Sequence, residues 1–315
     1  APQTIERLGI TYDDLRKIRE DIIVVRMPGF GLEGLYKNYR IYGNHAEHVV
    51  GHTHIRGHPD TDPTMMPTTL VCDALGGLNG AVGALMALRY RRRTGKGQLV
   101  EVPQSEVMAG HLPRAFLDYS MNGRVHSTLG NRHSSMAPHG CYPCKGQDRW
   151  VSIAVSSDDE WEAFVDVLGH PGWTEDPRFS TVLSRHRHQR ELDEHIGNWT
   201  RRHESYEVMR LLQSHDIPAG PVMDDRDAFS DPHLRERRFF QALTNTDGGT
   251  HLYPGPMWRI SGHPNHLRTP PCRLGEHNEY IYKELLGLAP KEYARLEREG
   301  HIGTRYVSVP GAPPD

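Results

Sequence analysis

One strand–helix–strand segment constrains the fold more than any other part of this chain. The apolar run over 21–27 is rich in β-branched residues and ends at a Pro-Gly pair, which predicts a buried strand. A long helix is predicted over 73–93, and the Thr-Gly-Lys-Gly turn at 94–97 leads into a strand over 98–102. Strands that alternate with helices in this way indicate an α/β fold with a parallel sheet.

The long helix is unusually rich in small residues. They are Gly76, Gly77, Gly80, Ala81, Gly83 and Ala84. Glycines lower helix stability but allow another backbone to approach closely. Their spacing matches neither a dinucleotide-binding loop nor a P-loop, so we interpret this segment as a tightly packed helix rather than a phosphate-binding loop.

The other predicted elements suggest a second domain. A polar connector covers 122–132, and we expect the second domain to begin near Leu129. The remaining predicted elements are a strand at 150–155 and helices at 4–20, 104–121, 158–168, 187–202, 204–214, 277–287 and 290–299.

Composition excludes several classes of protein. The chain has 315 residues, enough for two domains, with 37 basic against 40 acidic residues. This balance gives no reason to expect a nucleic-acid partner. We find no apolar run that looks long enough to span a bilayer and no secretory signal, so no membrane partner is expected. Four scattered cysteines do not make a disulfide framework, which favours a cytoplasmic protein.

The 21 histidines raise the question of a metal site. If the segment from Asn44 onward is helical, His45, His48 and His52 share one face, with Glu47 beside them. The order His-Ala-Glu-His matches neither the zinc-peptidase pattern nor its inverted form. Two readings from the residues stay open here, a metal site and surface or packing histidines.

A Cys-x-x-Cys motif gives a second candidate for metal or redox chemistry. Cys141 and Cys144 follow closely after His139. A zinc site needs a fourth ligand, and no second paired motif follows at a suitable spacing. The strand-to-helix context of a thioredoxin motif is also missing, so neither chemistry is favoured.

Four segments in order along the chain resemble one family. They are Arg-Arg-Thr-Gly-Lys-Gly-Gln at 92–98, the Gly-Asn-Arg-His to Ala-Pro-His-Gly segment at 130–140, Ala-Gly-Pro-Val at 219–222, and the Leu-Gly-Glu-His-Asn segment with the helix after it at 274–288. Together they resemble the class III CoA-transferases (CaiB/BaiF), which include formyl-CoA transferase, carnitine CoA-transferase and α-methylacyl-CoA racemase.

The resemblance implies an α/β fold of the CoA-transferase family III type. A large Rossmann-like domain, from 1–128 and 226–315, would carry a small α+β domain at 129–225, and two such chains would form an interlocked homodimer. The chain begins after the family's first β-α repeats, which build much of the CoA pocket. We therefore expect a fragment, a processed product or a further chain that supplies them, and weak CoA binding by this chain alone.

The resemblance also implies an aspartate at the start of the helix near residue 44, where it attacks the acyl-CoA thioester. By this alignment the position is Gly43, which cannot be a nucleophile. The nearest carboxylate is Glu47, one turn further along, which could act as nucleophile or base. In the racemase branch an acidic residue matching Asp159 is an acid/base partner, although an acidic residue there also suits a helix N-terminus.

Further ligand contacts follow from the resemblance. On the substrate side it implies His45, His48, Asn131 and His139. On the CoA side it implies Arg7, Leu8, Gly29 and Phe30. An ordinary strand-ending turn and a solvated helix residue are the alternatives for the CoA-side positions.

The expected function is an acyl-CoA:carboxylate CoA-transferase with acyl-CoA and a small carboxylic acid as substrates. Coenzyme A enters as substrate, and no metal or prosthetic group is expected. The alternatives are an acyl-CoA racemase or isomerase of the same fold, a non-catalytic subunit that has lost the family aspartate, and a histidine-rich metalloenzyme. The donor and acceptor acids cannot be read from these motifs.

Overall fold

The computed structural model describes residues 2–62, 65 and 69–305. The chain divides into two compact units, residues 1–222 and 223–315. The expected division into a large domain at 1–128 and 226–315 and a small domain at 129–225 stays a prediction.

The first part of unit one is an α/β segment. Its elements are α1 (Pro2–Leu8), α2 (Tyr12–Ile18), β1 (Ile23–Arg26), α3 (Gly43–Val49), α4 (His52–Ile55), α5 (Val71–Thr94), β2 (Gln98–Glu101), α6 (Gln104–Gly110) and α7 (Pro113–Asn122). Strands β1 and β2 pair in parallel, from Ile23 opposite Gln98 to Arg26 opposite Glu101. The predicted strand–helix–strand segment and its parallel pairing are confirmed.

Helix α5 packs directly on this strand pair. A Cβ added at Gly80 would lie 2.5 Å from Sδ of Met27, and one at Gly83 would lie 2.7 Å from Cγ1 of Val100. Real Cβ atoms do not come so close, so the side chain of Met27 or Val100 would have to shift to admit a larger residue. The interpretation as a tightly packed helix is confirmed at Gly80 and Gly83, whereas Gly77 and Ala81 are exposed.

The other face of α5 is apolar and exposed, as the side chains of Leu85 (66% exposed) and Met86 (68% exposed) show. By length and composition α5 could cross a membrane, since an 18-residue window of it has a mean hydropathy of 1.5. Only 22% of that window is buried in the structure. Our expectation that no apolar run is that long was wrong, because the leucine, valine and alanine residues of that window outweigh its glycines and its two polar residues in the mean hydropathy. Core helices meet the same criterion, and α5 packs against β1, β2, α3 and α6.

The second part of unit one is built on an antiparallel sheet. Its elements are β3 (His139–Pro143), β4 (Trp150–Ala154), α8 (Asp158–Leu168), α9 (Val182–Arg187), α10 (Gln189–Thr200), α11 (Ser205–Gln213) and β5 (Ala219–Val222). The strand order is β3–β4–β5, and both pairings are antiparallel. Its apolar core is formed by Tyr142, Cys144, Val151, Ile153, Val155, Trp161, Phe164, Phe179, Leu192, Ile196, Val208, Leu212 and Ile217.

A buried arginine joins the pieces of this second part. Arg185 on α9 is 0% exposed. Its guanidinium donates to the carbonyl oxygens of Ala137 (2.8 Å), Phe179 (3.2 Å) and Ser157 (3.3 Å) and to Oδ1 of Asp158 (2.8 Å). The group also lies 4.8 Å from the ring centroid of Trp161. Burial lowers the pKa of Arg185, while the Asp158 carboxylate opposes that shift.

Several predicted elements differ in detail. The helix expected at 104–121 is two helices, because Pro113 has no N–H to continue the first helix and instead begins the second. The segment after Tyr42 is also broken, since Gly51 has a φ of 84° and ends α3. Strand β1 is only partly buried rather than fully buried.

Unit two has less regular structure. Its elements are α12 (Asp225–Ser230), α13 (Pro232–Glu236), β6 (Phe240–Asn245), β7 (Gly249–Pro254), a π-helical segment (Tyr280–Leu285) and α14 (Pro290–Arg298). Strands β6 and β7 form an antiparallel hairpin. The helix expected at 277–287 is thus a shorter π-helical segment, and the helix at 290–299 is confirmed.

The substitution Arg185→Met should destabilise unit one by about 3 kcal/mol, because three carbonyl groups and the Asp158 carboxylate lose their donor. Urea unfolding followed by tryptophan fluorescence measures this, since Trp161 lies beside the arginine. Arg187→Met on the same helix, where the side chain is exposed, is the control and should change stability by less than about 0.5 kcal/mol. Equal stability of the two variants would contradict this role of Arg185.

Candidate active site

The centre of the candidate site is a buried carboxylate. Helix α3 turns Gly43, Ala46 and Glu47 inward, a spacing that places them on one helical face. Ala46 packs with Cys72 and Met108 in a small apolar cluster. Within this environment the Glu47 side chain is only 1% exposed, so its charge depends on protein partners rather than on water.

Four groups surround the Glu47 carboxylate. Oε2 accepts hydrogen bonds from the Thr69 hydroxyl (2.7 Å) and from Nδ1 of His52 (2.9 Å), and Oε1 accepts from the backbone N–H of Cys72 (3.4 Å). The guanidinium of Arg56 lies 3.5 Å from Oε2. Burial alone would raise the pKa of Glu47, but the hydrogen bonds from Thr69, His52 and Cys72 outweigh it and the pKa is lowered.

A second carboxylate lies at the same helix junction. Asp73 is in the first turn of α5, and its side chain is exposed. A Cβ added at Gly43 would lie 2.6 Å from Cγ and 2.7 Å from Oδ1 of Asp73. The Asp73 carboxylate therefore rests against the backbone of Gly43, in the space that a side chain at position 43 would need.

The surroundings of Asp73 differ from those of Glu47. Within 2–62, 65 and 69–305, no arginine, lysine or histidine forms an ion pair with Asp73. The residue lies at the positive end of a 24-residue helix whose N-cap, Leu70, has no side chain that can accept a hydrogen bond. This end of a helix stabilises negative charge. Asp73 is thus an accessible carboxylate that the fold leaves available to a ligand.

The histidines predicted as ligands take up different positions. His45 and His48 are exposed on α3, with ring centroids 6.4 Å apart. His52 does not share their face, because the chain breaks at Gly51 and α4 turns His52 toward Glu47. The proposed common face of the three histidines was therefore wrong, and the ligand roles of His45 and His48 stay predictions.

Two other predicted contacts lie close together. Nδ1 of His139 is 2.7 Å from the carbonyl oxygen of Asn131. Both residues line a cavity of about 750 Å³ with Tyr142 and Asp193, whose side chains are hydrogen-bonded at 2.9 Å. The position supports a ligand contact for Asn131 and His139, which stays a prediction.

The remaining predicted site residues lie elsewhere in unit one. Asp159 is exposed in the first turn of α8, where Ser157 caps the helix by accepting from the N–H of Glu160. Arg7 and Leu8 are exposed at the end of α1. An acidic residue is favourable at the N-terminus of a helix, which accounts for Asp159 without a catalytic role. The catalytic role of Asp159 and the CoA contacts of Arg7 and Leu8 stay predictions.

The turn after β1 is held by its own packing. A Cβ added at Gly29 would lie 2.7 Å from Cδ1 of Ile41, so a larger residue would require the Ile41 side chain to move. The ring of Phe30 packs edge-on against Tyr36 and Tyr39, with centroids 5.5 Å and 6.3 Å away. CoA contacts at Gly29 and Phe30 stay predictions.

The candidates for metal and thiol chemistry gain no support from the geometry. In the part of the chain that the structure describes, no three His, Cys, Asp or Glu side chains are grouped to hold a metal ion. Burial raises the pKa of Cys141 and raises that of Cys144 to about 11, so both are protonated thiols at neutral pH.

The sequence analysis named Asp73 only as the start of a helix and did not include it among the candidate site residues. One signal could have revealed it, because Asp73 is the single charged residue in the segment 71–88. Its neighbour in space, Gly43, is far away in the sequence, so the pairing itself could not be read from local patterns.

Comparisons with known proteins agree with this fold. The model of CoA-transferase family III matches residues 1–278. The chain is 29% identical over 296 residues to succinyl-CoA–D-citramalate CoA-transferase of Chloroflexus aurantiacus, covering 94% of this chain and 73% of that protein. It is 27% identical over 323 residues to formyl-CoA:oxalate CoA-transferase of Rhodopseudomonas palustris, covering 96% and 75%.

A solved structure gives the same assignment. The chain superposes on a CAIB/BAIF family protein from Brucella suis with a TM-score of 0.77 and 25% identity, covering 90% of this chain and 73% of that one. The family model and the solved structure both match most of this α/β chain. The chain therefore belongs to CoA-transferase family III. Its relatives are enzymes that transfer CoA.

The substitution Glu47→Gln should lower the free energy of unfolding at pH 7 by about 1–3 kcal/mol, because His52 and Arg56 lose a buried charged partner. The pKa of Glu47 is lowered from its usual 4.5, so its charge stabilises the fold above that value. The contribution is lost as the pH falls through the lowered pKa.

Urea unfolding at pH 7 and at stepwise lower pH measures this difference. The gap between wild type and Glu47→Gln should shrink as the pH falls below 4.5, whereas Glu162→Gln, exposed on α8, should match wild type throughout. A stability difference between wild type and Glu47→Gln that does not change with pH would contradict this account. It would show that the shape of the Glu47 side chain, rather than its charge, stabilises the site.

Proposed function

We propose that this chain transfers CoA from an acyl-CoA donor to a carboxylic acid acceptor, with Asp73 as the attacking carboxylate. The observation that carries the proposal is the contrast between the two carboxylates at the α3–α5 junction. Glu47 is buried and bonded on both oxygens, whereas Asp73 is exposed beside Gly43 at the positive end of α5. A nucleophile must reach the thioester carbonyl, and of these two only Asp73 can be reached.

The chemistry requires four balanced exchanges. An oxygen of Asp73 adds to the donor thioester carbonyl and CoA thiolate leaves, which gives a mixed anhydride. The thiolate then attacks the Asp73 carbonyl of the anhydride and releases the donor acid, so that CoA is held as a thioester of Asp73. The acceptor carboxylate attacks this thioester, and the thiolate released from it attacks the acceptor carbonyl and regenerates the Asp73 carboxylate.

The fold supports this role of Asp73 in two ways. The N-terminal end of α5 favours the negative charge that the carboxylate carries before and after the reaction. The absence of a side chain at Gly43 leaves room for the carboxylate against the α3 backbone. We infer that the family aspartate, which sequence reasoning placed at Gly43, corresponds to Asp73 instead.

Glu47 then acts through other groups rather than on the substrate. Its carboxylate accepts from the N–H of Cys72, the residue next to Asp73. Glu47 therefore holds the start of α5 in place and is a positioning residue in this proposal.

The names of the relatives support a dicarboxylic acid as acceptor. Those proteins are named for transfer to D-citramalate, to oxalate, and between succinate and glutarate, which are all dicarboxylic acids. We extend the same class of acceptor to this chain.

Other parts of the proposal come from the family. They are the interlocked homodimer, a further chain as partner, the cytoplasmic location and the substrate contacts at Asn131 and His139. Some relatives are named as alpha and beta subunits of one CoA-transferase, so assembly from more than one chain has precedent among them. A racemase or isomerase of the same fold and a non-catalytic subunit are the alternatives.

The substitution Asp73→Asn should reduce CoA transfer by at least about 10³-fold, because an amide cannot form the anhydride. Incubation with an acyl-CoA alone should label wild type with a hydroxylamine-sensitive adduct on the peptide that contains Asp73, and intact and peptide mass spectrometry detects it.

Asp166→Asn on α8, where the side chain is exposed, is the matched control and should label as wild type does. Labelling of Glu47, or of Asp73→Asn at the wild-type rate, would contradict Asp73 as nucleophile. The absence of any adduct in wild type would favour the racemase or the non-catalytic subunit.

A further inference from the structure

A strongly basic cavity lies beside the candidate site and has no role in the mechanism so far. It has a volume of about 720 Å³ and lies between α4 and the start of α7. Among its described lining residues are four arginines, Arg56, Arg114, Arg124 and Arg132, against one acidic residue, Asp118. We refer to it as the arginine cavity.

The neighbouring cavity shows that this imbalance is not general. The 750 Å³ cavity that contains Asn131 and His139 is lined by three arginines and three acidic residues, which are Arg132, Arg190, Arg201, Asp60, Asp193 and Glu194. Its charges balance, whereas those of the arginine cavity do not. An anion is favoured in the arginine cavity wherever one of its arginines lacks a carboxylate partner.

Three of the four arginines already face a carboxylate. Arg124 pairs with Asp118 at 2.8 Å, Arg132 pairs with Asp193 at 3.0 Å, and Arg56 lies 3.5 Å from Glu47. Arg114 differs, because its guanidinium donates to the neutral hydroxyl of Ser134. Over the described part of the chain, Arg114 has no carboxylate partner.

The position of Arg114 adds to the uncompensated charge. It is the second residue of α7, at the positive end of a ten-residue helix that has no acidic residue in its first turn. The N-cap, Leu112, has no side chain that can accept a hydrogen bond. A cation at this end of a helix is unfavourable unless an anion is nearby, so helix and guanidinium together favour a bound acidic group.

The arginine cavity is also linked to the nucleophile. His52 and Arg56 form part of its wall, and both contact the Glu47 carboxylate. The other oxygen of Glu47 accepts the N–H of Cys72, and Asp73 follows directly. Glu47 thus contacts both the wall of the arginine cavity and the start of α5, and Asp73 itself does not line the cavity.

From this arrangement we propose that the arginine cavity binds the acceptor as a dicarboxylate, with Arg114 holding the carboxylate that does not react. The proposal rests on the proposed function and names its acceptor site. The planar guanidinium offers two parallel N–H donors to a carboxylate, and the volume is ample for a small diacid. A phosphate group of CoA has the same recognition chemistry, and the experiment separates the two sources.

The test is isothermal titration calorimetry of the full chain without CoA. The probes are succinate, propionate as the matched monocarboxylate, inorganic phosphate, and adenosine 3′,5′-bisphosphate as the nucleotide part of CoA. The variants are Arg114→Gln, Arg114→Lys, and Arg210→Gln as the control. Arg210 is an exposed arginine on α11 that lines neither cavity, so its substitution makes the same change in net charge.

Wild type and Arg210→Gln should bind succinate at least about tenfold more tightly than propionate. Arg114→Gln should bind succinate about tenfold more weakly, and Arg114→Lys should fall between, because lysine keeps the charge but loses the paired donors. Thermal unfolding of each variant confirms that the exposed substitutions leave the chain folded.

Three results would overturn the proposal. The first is equal binding of succinate by wild type and Arg114→Gln, and the second is no binding of succinate by wild type. The third is displacement of succinate by the bisphosphate in wild type, together with weaker binding of the bisphosphate by Arg114→Gln. The acyl adduct on Asp73 forms from acyl-CoA without an acceptor, so its presence with any of these results would reject the acceptor site alone. Loss of the adduct with intact succinate binding would reject the mechanism alone.

Discussion

The rest of the site depends on one buried carboxylate. Glu47 is removed from water, and such a charge is tolerated only where several donors satisfy it. Those donors come from α4, from Thr69 and from the first turn of α5. The same interaction therefore joins α3, α4 and the start of α5, and it determines where α5 begins relative to α3. Because Gly43 and Glu47 share a face of α3, this anchoring also brings the Gly43 backbone to Asp73.

Glycine serves two different purposes around this anchor. Within α5, Gly80 and Gly83 let the helix lie against Met27 and Val100. These contacts set the distance between the helix and the parallel strands. At Gly43 the missing side chain leaves space for a carboxylate rather than for a backbone. The two acidic residues differ in the same way. Glu47 is inaccessible and fixes the positions of the elements around it, whereas Asp73 is accessible at the N-terminal end of α5.

Much of the architecture follows from local patterns. The strand–helix–strand segment, the turn at 94–97 and the capped helix α8 were predicted, because each depends on apolar periodicity and on turn or cap residues that lie next to one another. The ordered motifs also identified the family. The break at Pro113 divided a helix that apolar periodicity alone joined together.

The chemistry of the site was harder to predict for a physical reason. The partners of Glu47 at Thr69 and Cys72, and the contact of Asp73 with Gly43, arise from the packing of α3 on α5, which no local pattern encodes. The break at Gly51 had a similar effect, because it turned His52 away from the expected histidine face and toward Glu47. The alignment placed the family aspartate at Gly43 on α3, and the proposal places it at Asp73 on α5, against the same glycine.

The most direct test of this account is the rate of acyl-adduct formation in Gly43→Ala. The added methyl group would lie 2.6 Å from Cγ of Asp73 and must displace its carboxylate, whereas alanine suits the helical backbone there. Single-turnover acylation should slow by about 100-fold with the overall stability nearly unchanged, since a displacement of about 1 Å is enough for such a loss. Gly110→Ala, where an added methyl group contacts nothing, should react as wild type does. Acylation of Gly43→Ala at the wild-type rate would contradict the placement of the reacting carboxylate against Gly43.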